Sequence, residues 1–352
     1  MTNVERLRAH AISQSLFRPT TLKAAIDRLG FVQADPIKSP ATAQDLILRQ
    51  RVKDYRAGDL ERRYQTLDIE EDLLYAYGFL PRSIWRLLHP RDITGLSKLE
   101  KGVLEIVRAG GEIHPRELEA HFGRDRVMNA WGGYSKATKC ALEDLHYRGL
   151  LRIARREKGI RVYQSTEPLS EVHPLKERVR KLAMVVANIL APLPKKSLQE
   201  TVARVRYSVP NIGNTRSVIE DLLRSGELQT DTVDDIDYVW PASDMVLEEV
   251  PRSVRILAPF DPVVWDRRRF EHLWGWPYRF EAYVPLAKRV RGYYAMPLLW
   301  GNSVIGWANV SIDGRTFNVE VGYVEKRPKD AKFRSELADE IGRMETFLKL
   351  KI

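Results

Sequence analysis

Apolar and polar positions alternate in Phe31-Val32-Gln33-Ala34-Asp35-Pro36-Ile37, directly after a helix stop at Leu29-Gly30. That alternation predicts a short strand. Upstream, the apolar spacing over 4–12 predicts an amphipathic helix with a basic face that stops around Arg18-Pro19. A second helix over 22–29 is capped by Thr20 or Thr21 and ended by Gly30. Ser39-Pro40 opens a helix over 43–50, and Arg49, Arg51 and Lys53 gather at its C-terminal end. Residues 67–78, acidic and apolar together, predict a strand. A short helix over 83–88 follows Leu80-Pro81.

The middle of the chain predicts helices over 99–107, 114–122 and 135–148. Strands over 150–154 and 160–163 follow, joined by Arg155-Arg156-Glu157-Lys158-Gly159. Three helices and then a hairpin with a basic tip is the order of a winged helix, in which the third helix lies over DNA and the tip over its backbone. The order recurs in a long helix over 175–190, a helix opened by a Ser197–Glu200 capping box, a helix over 218–224 capped by Asn214, and a hairpin of 228–230 with 238–240. The tip of this second hairpin carries Asp231, Asp234, Asp235 and Asp237, which phosphate repels. From Arg252 the pattern turns strand-like, over 254–257, 278–284, 293–299, 304–310 and 317–321, and predicts a small barrel or closed-up sheet. An amphipathic helix over 334–349 would cover one edge of it. The expected fold class is α+β: tandem winged-helix domains followed by a C-terminal small β-barrel and terminal helix, divided at 1–95, 96–168, 169–248 and 249–352.

Charge sharpens the expected partner. The 352 residues carry a net charge of +10, which points to a polyanion when the basic residues fall on elements that can meet a phosphate backbone. No apolar run is long enough to span a bilayer, and the N-terminus lacks a secretory pattern. The single cysteine, Cys140, permits no intrachain disulfide and fits a reducing compartment, so a cytoplasmic location is expected. The phosphate-binding Gly-x4-Gly-Lys loop is absent, and one cysteine builds no zinc site. His114 and His121 read as solvated or capping residues, so no metal and no cofactor is expected.

Candidate chemistry falls on Gln33 and Asp35. Two positions apart in an extended segment, their side chains leave the same face, and Pro36 stiffens the chain after them. An amide beside a carboxylate can bind and orient one water. The plainer reading is a strand end whose polar residues cap the next helix. A second stretch, Leu257-Ala258-Pro259-Phe260-Asp261-Pro262-Val263-Val264-Trp265-Asp266-Arg267-Arg268-Arg269, interleaves aromatics with arginines, as does the segment through Gly292-Tyr293-Tyr294. Such mixtures suit a DNA-facing surface, with core packing as the alternative for most of these residues singly.

These two stretches resemble the crosslink-repair DNA glycosylases of the YcaQ/AlkZ type. Gln33-Ala34-Asp35 matches that family's Gln-apolar-Gln/Asp motif in its Gln-x-Asp form. Residues 257–294 follow its Pro-Phe-Asp-Pro, Trp-Asp-Arg and Gly-Tyr-Tyr pattern. Two departures stand out: Tyr75-Ala76-Tyr77 in place of an aromatic-x-His, and Trp307-Ala308-Asn309 in place of an Arg-x-Asp. The resemblance implies a monofunctional glycosylase that releases N-alkylated purines, typically N7-alkylguanine, and unhooks crosslinks, with Asp35 and Gln33 activating and placing the water. It implies double-stranded DNA carrying alkylated or crosslinked purines as partner, no membrane, and a monomer. The expected DNA contacts are Arg49, Arg51, Lys53, Arg155, Arg156, Lys158, Arg267 and Arg268. The competing class is a non-enzymatic winged-helix transcriptional regulator, which accounts for the charge and the helices but not for the strand-rich C-terminal part.

Overall fold

The computed structural model describes residues 2–128, 132–167, 169, 172–243, 250–314 and 316–348. The expected boundary at 248/249 and the end of the last helix at Lys349 lie outside them. The chain opens with α1 (Asn3–Ser15), α2 (Leu22–Leu29), β1 (Val32–Gln33), α3 (Ala43–Leu48), α4 (Asp59–Arg63), β2 (Ile69–Leu73), β3 (Tyr77–Pro81) and α5 (Arg82–Leu88). Local chemistry sets the ends of these helices. Thr2 and Glu5 form a capping box on α1, the Thr21 hydroxyl accepts from the Ala24 N–H, and Gly30 turns the chain out of α2 at φ 72°. The three strands make one antiparallel sheet in the order β1-β3-β2, with Val32 opposite Phe79 and Gln33 opposite Gly78. Gly78 has no alternative there: a Cβ would lie 2.4 Å from the Val32 carbonyl oxygen and 2.6 Å from the Phe31 ring.

Strand β2 carries three successive buried carboxylates, Glu70, Glu71 and Asp72. They survive burial because cations reach them from elsewhere in the chain. Those cations come partly from the next block, α6 (Lys98–Gly110), α7 (Leu118–Phe122), β4 (Arg126–Met128), β5 (Tyr134–Lys136), α8 (Ala137–Tyr147), β6 (Leu151–Glu157) and β7 (Ile160–Ser165). Arg152 meets Glu70 at 2.8 Å and Arg156 meets Glu71 at 2.8 Å, so hairpin β6–β7 lies against the first sheet. Arg82 also holds Glu70, at 2.9 Å, and Arg91 and His89 hold Asp72 at 3.1 and 3.2 Å. Helix α7 covers only the second half of the expected 114–122 helix. The exposed hairpin β4–β5 has no counterpart in the sequence reading.

The third block holds α9 (Leu175–Leu190), β8 (Leu193–Pro194), α10 (Lys195–Arg204), α11 (Thr215–Arg224), β9 (Leu228–Val233) and β10 (Ile236–Pro241). Asn214 caps α11 as expected, through its side-chain oxygen on the Arg216 N–H. The Ser197 capping box does not form. Pro194, with φ already fixed, stands at the N-cap three positions earlier, so Ser197 is buried inside the helix and Glu200 turns to Arg268 instead.

The last block is β11 (Val254–Ile256), α12 (Pro262–Trp265), α13 (Arg267–Trp274), β12 (Met296–Trp300), β13 (Ser303–Asp313), β14 (Thr316–Tyr323) and α14 (Ala331–Leu348). Its strands form a four-stranded antiparallel sheet in the order β11-β12-β13-β14, a half-barrel rather than the closed barrel expected. Residues 278–284 are irregular, not a strand. Their aromatics are spent on packing: the Tyr278 hydroxyl donates to the Ala295 carbonyl at 2.7 Å, and Arg267 lies 4.5 Å over its ring. Helix α14 docks on β11 and on the N-terminal block through Glu340. This fully buried carboxylate accepts from Arg49 at 2.6 Å, Gln50 at 3.0 Å and the Ile256 N–H at 2.9 Å.

Candidate active site

Gln33 ends β1, and the ladder continues one step beyond it, where the Ala34 N–H bonds the Tyr77 carbonyl at 2.9 Å. The two side chains of interest are therefore carried on a short, fully paired edge. Gln33 and Asp35 are half-buried and lie either side of Ala34. The Asp35 carboxylate folds back on its own chain, with Oδ1 accepting from the Ile37 N–H at 2.9 Å, and the Asp35 N–H points to the Gln44 side-chain oxygen at 3.4 Å. These bonds fix the carboxylate and leave its second oxygen for another donor. Burial raises the Asp35 pKa against the lowering effect of the Ile37 bond. A carboxylate in that state is a stronger base than one in water.

The partner of Gln33 comes from the far end of the chain. Its Oε1 accepts from the indole Nε1–H of Trp265 at 2.8 Å. With the acceptor spoken for, the amide nitrogen is left as the donor. Trp265 is itself fixed: Tyr75 packs edge-on at 4.9 Å, with Phe31 behind it at 5.0 Å, and Arg204 lies 5.7 Å from the Trp265 ring. Three aromatics, Trp265, Tyr75 and Phe31, with Arg204 and Gln44, thus gather from three blocks around residues 33–35. The sequence reading named Gln33 and Asp35 but missed Trp265 and Gln44 as their partners. Trp265 stood inside the Pro-Phe-Asp-Pro…Trp-Asp-Arg stretch, which was its only visible signal.

The sequence profile of the AlkZ-like DNA glycosylases matches residues 26–347. The chain belongs to the AlkZ-like DNA glycosylase family. It is accordingly an enzyme of the class that hydrolyses N-glycosyl bonds in DNA. Among solved structures, the fold matches Streptomyces sahachiroi DNA glycosylase AlkZ with a TM-score of 0.66, over 98% of this chain and 96% of that one, at 13% sequence identity.

Most of the arginines expected to meet DNA in this glycosylase are committed inside it. Arg51 is fully buried, bonded to Asp261, the Ser15 carbonyl and the Ile47 carbonyl, and Arg49 is held by Glu340 and the Ile256 carbonyl. Neither has surface to offer a phosphate; both were drawn inward by partners more than 200 positions away. Arg155 and Arg156 sit on a hairpin whose charge is answered by Glu112, Glu157 and Glu71. The Arg267 guanidinium caps the Val264 and Pro259 carbonyls at 2.7 and 2.9 Å. Lys53, Lys158 and Arg268 are exposed, Arg268 in a surface pair with Glu200 at 2.8 Å. The two departures from the family pattern are also accounted for. The Tyr77 hydroxyl donates to Glu71 at 3.1 Å, and the Asn309 amide donates to the Arg291 carbonyl at 2.7 Å.

Proposed function

We propose that this glycosylase releases N-alkylated purines, N7-alkylguanine first among them, and unhooks interstrand crosslinks built on such bases. The observation that carries the reading is the anchored pair: Gln33 with its side-chain oxygen pinned by Trp265, next to Asp35 with a raised pKa and its Oδ1 held by Ile37. An N7-alkylated guanine is already cationic, so its glycosidic bond is weak and the base leaves with little acid help. What remains is to place a water below C1′ and to stabilise the oxocarbenium-like sugar. In the arrangement proposed, Gln33 donates to the water oxygen and Asp35 accepts a water proton. The Asp35 charge also faces the developing cation. The product is an abasic site with both strands intact.

DNA would reach the pair past exposed cations and apolar tips. Lys53, Lys158 and Arg268 supply the phosphate contacts in this reading. The loop before β12 presents Tyr283, Leu286 and Val290 at 79%, 78% and 77% exposure. That loop is stiff: the Glu281 carboxylate accepts from the N–H groups of Val290, Arg291 and Gly292 at 2.9 to 3.2 Å. A rigid apolar tip suits a duplex whose damaged base must be unstacked. The experiment is base release from a duplex with one N7-methylguanine, comparing native protein with Asp35→Ala and Gln33→Ala. Release by the native protein and a loss of more than about tenfold in Asp35→Ala, about 1.4 kcal/mol of barrier, is expected. Equal rates for native and Asp35→Ala would overturn the assignment.

A further inference from the structure

A cleft of about 580 Å³ opens between the exposed hairpin β4–β5 and the hairpin β6–β7, at the start of α8. Arg116, Arg126, Lys136, Lys139, Arg156 and Arg161 line it, against the carboxylates Glu119 and Glu143. Arg156 and Arg161 are answered within the fold by Glu71. Glu119 serves both Lys136 and Arg124, and Arg116 and Arg126 have no ion pair among the described residues. The strand register sharpens this excess. Arg126 stands directly opposite Lys136, so two cations leave the same face of a two-stranded ribbon, which costs stability until an anion lies between them. The same face carries Met128 opposite Tyr134, each 66% exposed. Helix α8 offers no comparable surface: past its first turn its solvent-facing side chains include Glu143 and Asp144, which phosphate repels.

We propose that this cleft holds an unpaired DNA strand, with Arg126 and Lys136 on its phosphates and the Tyr134 ring against one of its bases. Cations that track a backbone beside an exposed aromatic hold single strands without reading their sequence. The space is that of a small-ligand site, so it admits a short piece of one strand and excludes a double helix. The cleft is also tied to the candidate active site. Arg161 lies 4.6 Å over the Tyr77 ring, and the Tyr77 carbonyl bonds Ala34 between Gln33 and Asp35. The enzyme therefore favours a substrate in which duplex gives way to single strand close to the damaged base. This inference takes from the reading above only that DNA is the substrate. The roles given to Gln33 and Asp35 can fail without touching it.

The test is fluorescence anisotropy with the full chain and two labelled probes, an oligothymidylate of about twelve nucleotides and a blunt duplex of the same length. Tyr134→Ala should weaken oligothymidylate binding by about fivefold or more and leave its salt dependence unchanged, because stacking releases no counterions. Arg126→Ala with Lys136→Ala should weaken it further and flatten the plot of log affinity against log salt by about 1.4, the share of two phosphates on a single strand. These side chains are exposed, so Tm should hold in both variants and a folding defect is not mistaken for lost binding. Oligothymidylate affinity that neither variant lowers overturns the proposal. So does an equal loss on both probes in Tyr134→Ala, which would make the hairpin a duplex contact. Neither readout depends on base release, so an inactive site would sink the reaction assigned to Gln33 and Asp35 and leave this test intact.

Discussion

Arg51 and Asp261 stand 210 positions apart in the sequence and face each other in a two-pronged ion pair, at 2.8 and 2.9 Å, with neither side chain exposed. The same Asp261 carboxylate accepts from the Val263 N–H at 3.1 Å and so starts α12. That helix ends at Trp265, which holds Gln33. The ion pair therefore fixes the distance between the two stretches that make the site. Removing one partner strands a buried charge, so Arg51→Met and Asp261→Asn should each cost about 3–5 kcal/mol. Urea unfolding measures it; a loss under about 1 kcal/mol would mean the pair is dispensable. The joint replacement Arg51→Met with Asp261→Asn should cost less than the two singles summed.

Trp265→Phe keeps most of the aromatic packing and deletes the donor to Gln33. Freed from that bond, the amide can flip and lose its aim. Base release should fall by about tenfold or more, while duplex affinity changes little, since no phosphate contact is touched. An unchanged rate would show that Gln33 is held by other means.

Burial raises the Asp35 pKa above the ordinary aspartate value of 3.8. In the proposed role of base Asp35 works only when ionised, so the acid limb of base release should lie at a higher pH than for an ordinary aspartate. For stability the sign is opposite to that of a paired carboxylate. A raised folded-state pKa contributes stability below pH 3.8 and loses it as the pH rises through the folded value. Asp35→Asn should thus abolish the limb and leave stability at neutral pH equal or higher, which melting curves and rate profiles together check.

Glu70 makes the same argument at a structural position. Burial lifts its carboxyl from 4.5 to about 7, even against Arg152 and Arg82. Its stabilising contribution is complete below pH 4.5 and disappears as the pH rises through about 7. Two neighbours run the other way. Burial works to raise Asp72, but Arg91 and the His89 bond outweigh it and hold it at about 2, while burial drives His89 down to about 4 and keeps it neutral. The difference between native and Glu70→Gln isolates the one group: the two stability curves should diverge between pH 4.5 and 7. Parallel curves would show that the carboxyl stays ionised.

What was legible in the sequence was what depends on near neighbours. Thr21 and Gly30 frame α2, Asn214 caps α11, and the Gln33–Asp35 alternation marks the paired edge because cap, turn and pleat are decided within a few residues. What depends on distant partners was not legible. Arg49 and Arg51 read as phosphate ligands because nothing within reach of them in the sequence reveals Glu340 or Asp261. Ser197 and Glu200 have capping-box spacing, yet Pro194 sets the helix start. The aromatics of 278–284 alternate as a strand would, but Arg267 and the Ala295 carbonyl claim Tyr278. Hairpin β4–β5 is exposed along most of its length, so burial left no alternation to read.

The arginines that neutralise Glu70 and Glu71 from hairpin β6–β7 leave the ribosome long after strand β2 does. A nascent chain that ends near residue 95 already has Arg82 and Arg91 for Glu70 and Asp72 but holds Glu71 without Arg156. The last buried carboxylate of the sheet whose edge carries Gln33 and Asp35 is expected to settle only when the hairpin has been made. A fragment of residues 1–95 should be digested faster by protease than one extending to 167. The edge that carries Gln33 and Asp35 would then settle only once the chain has been read well past it.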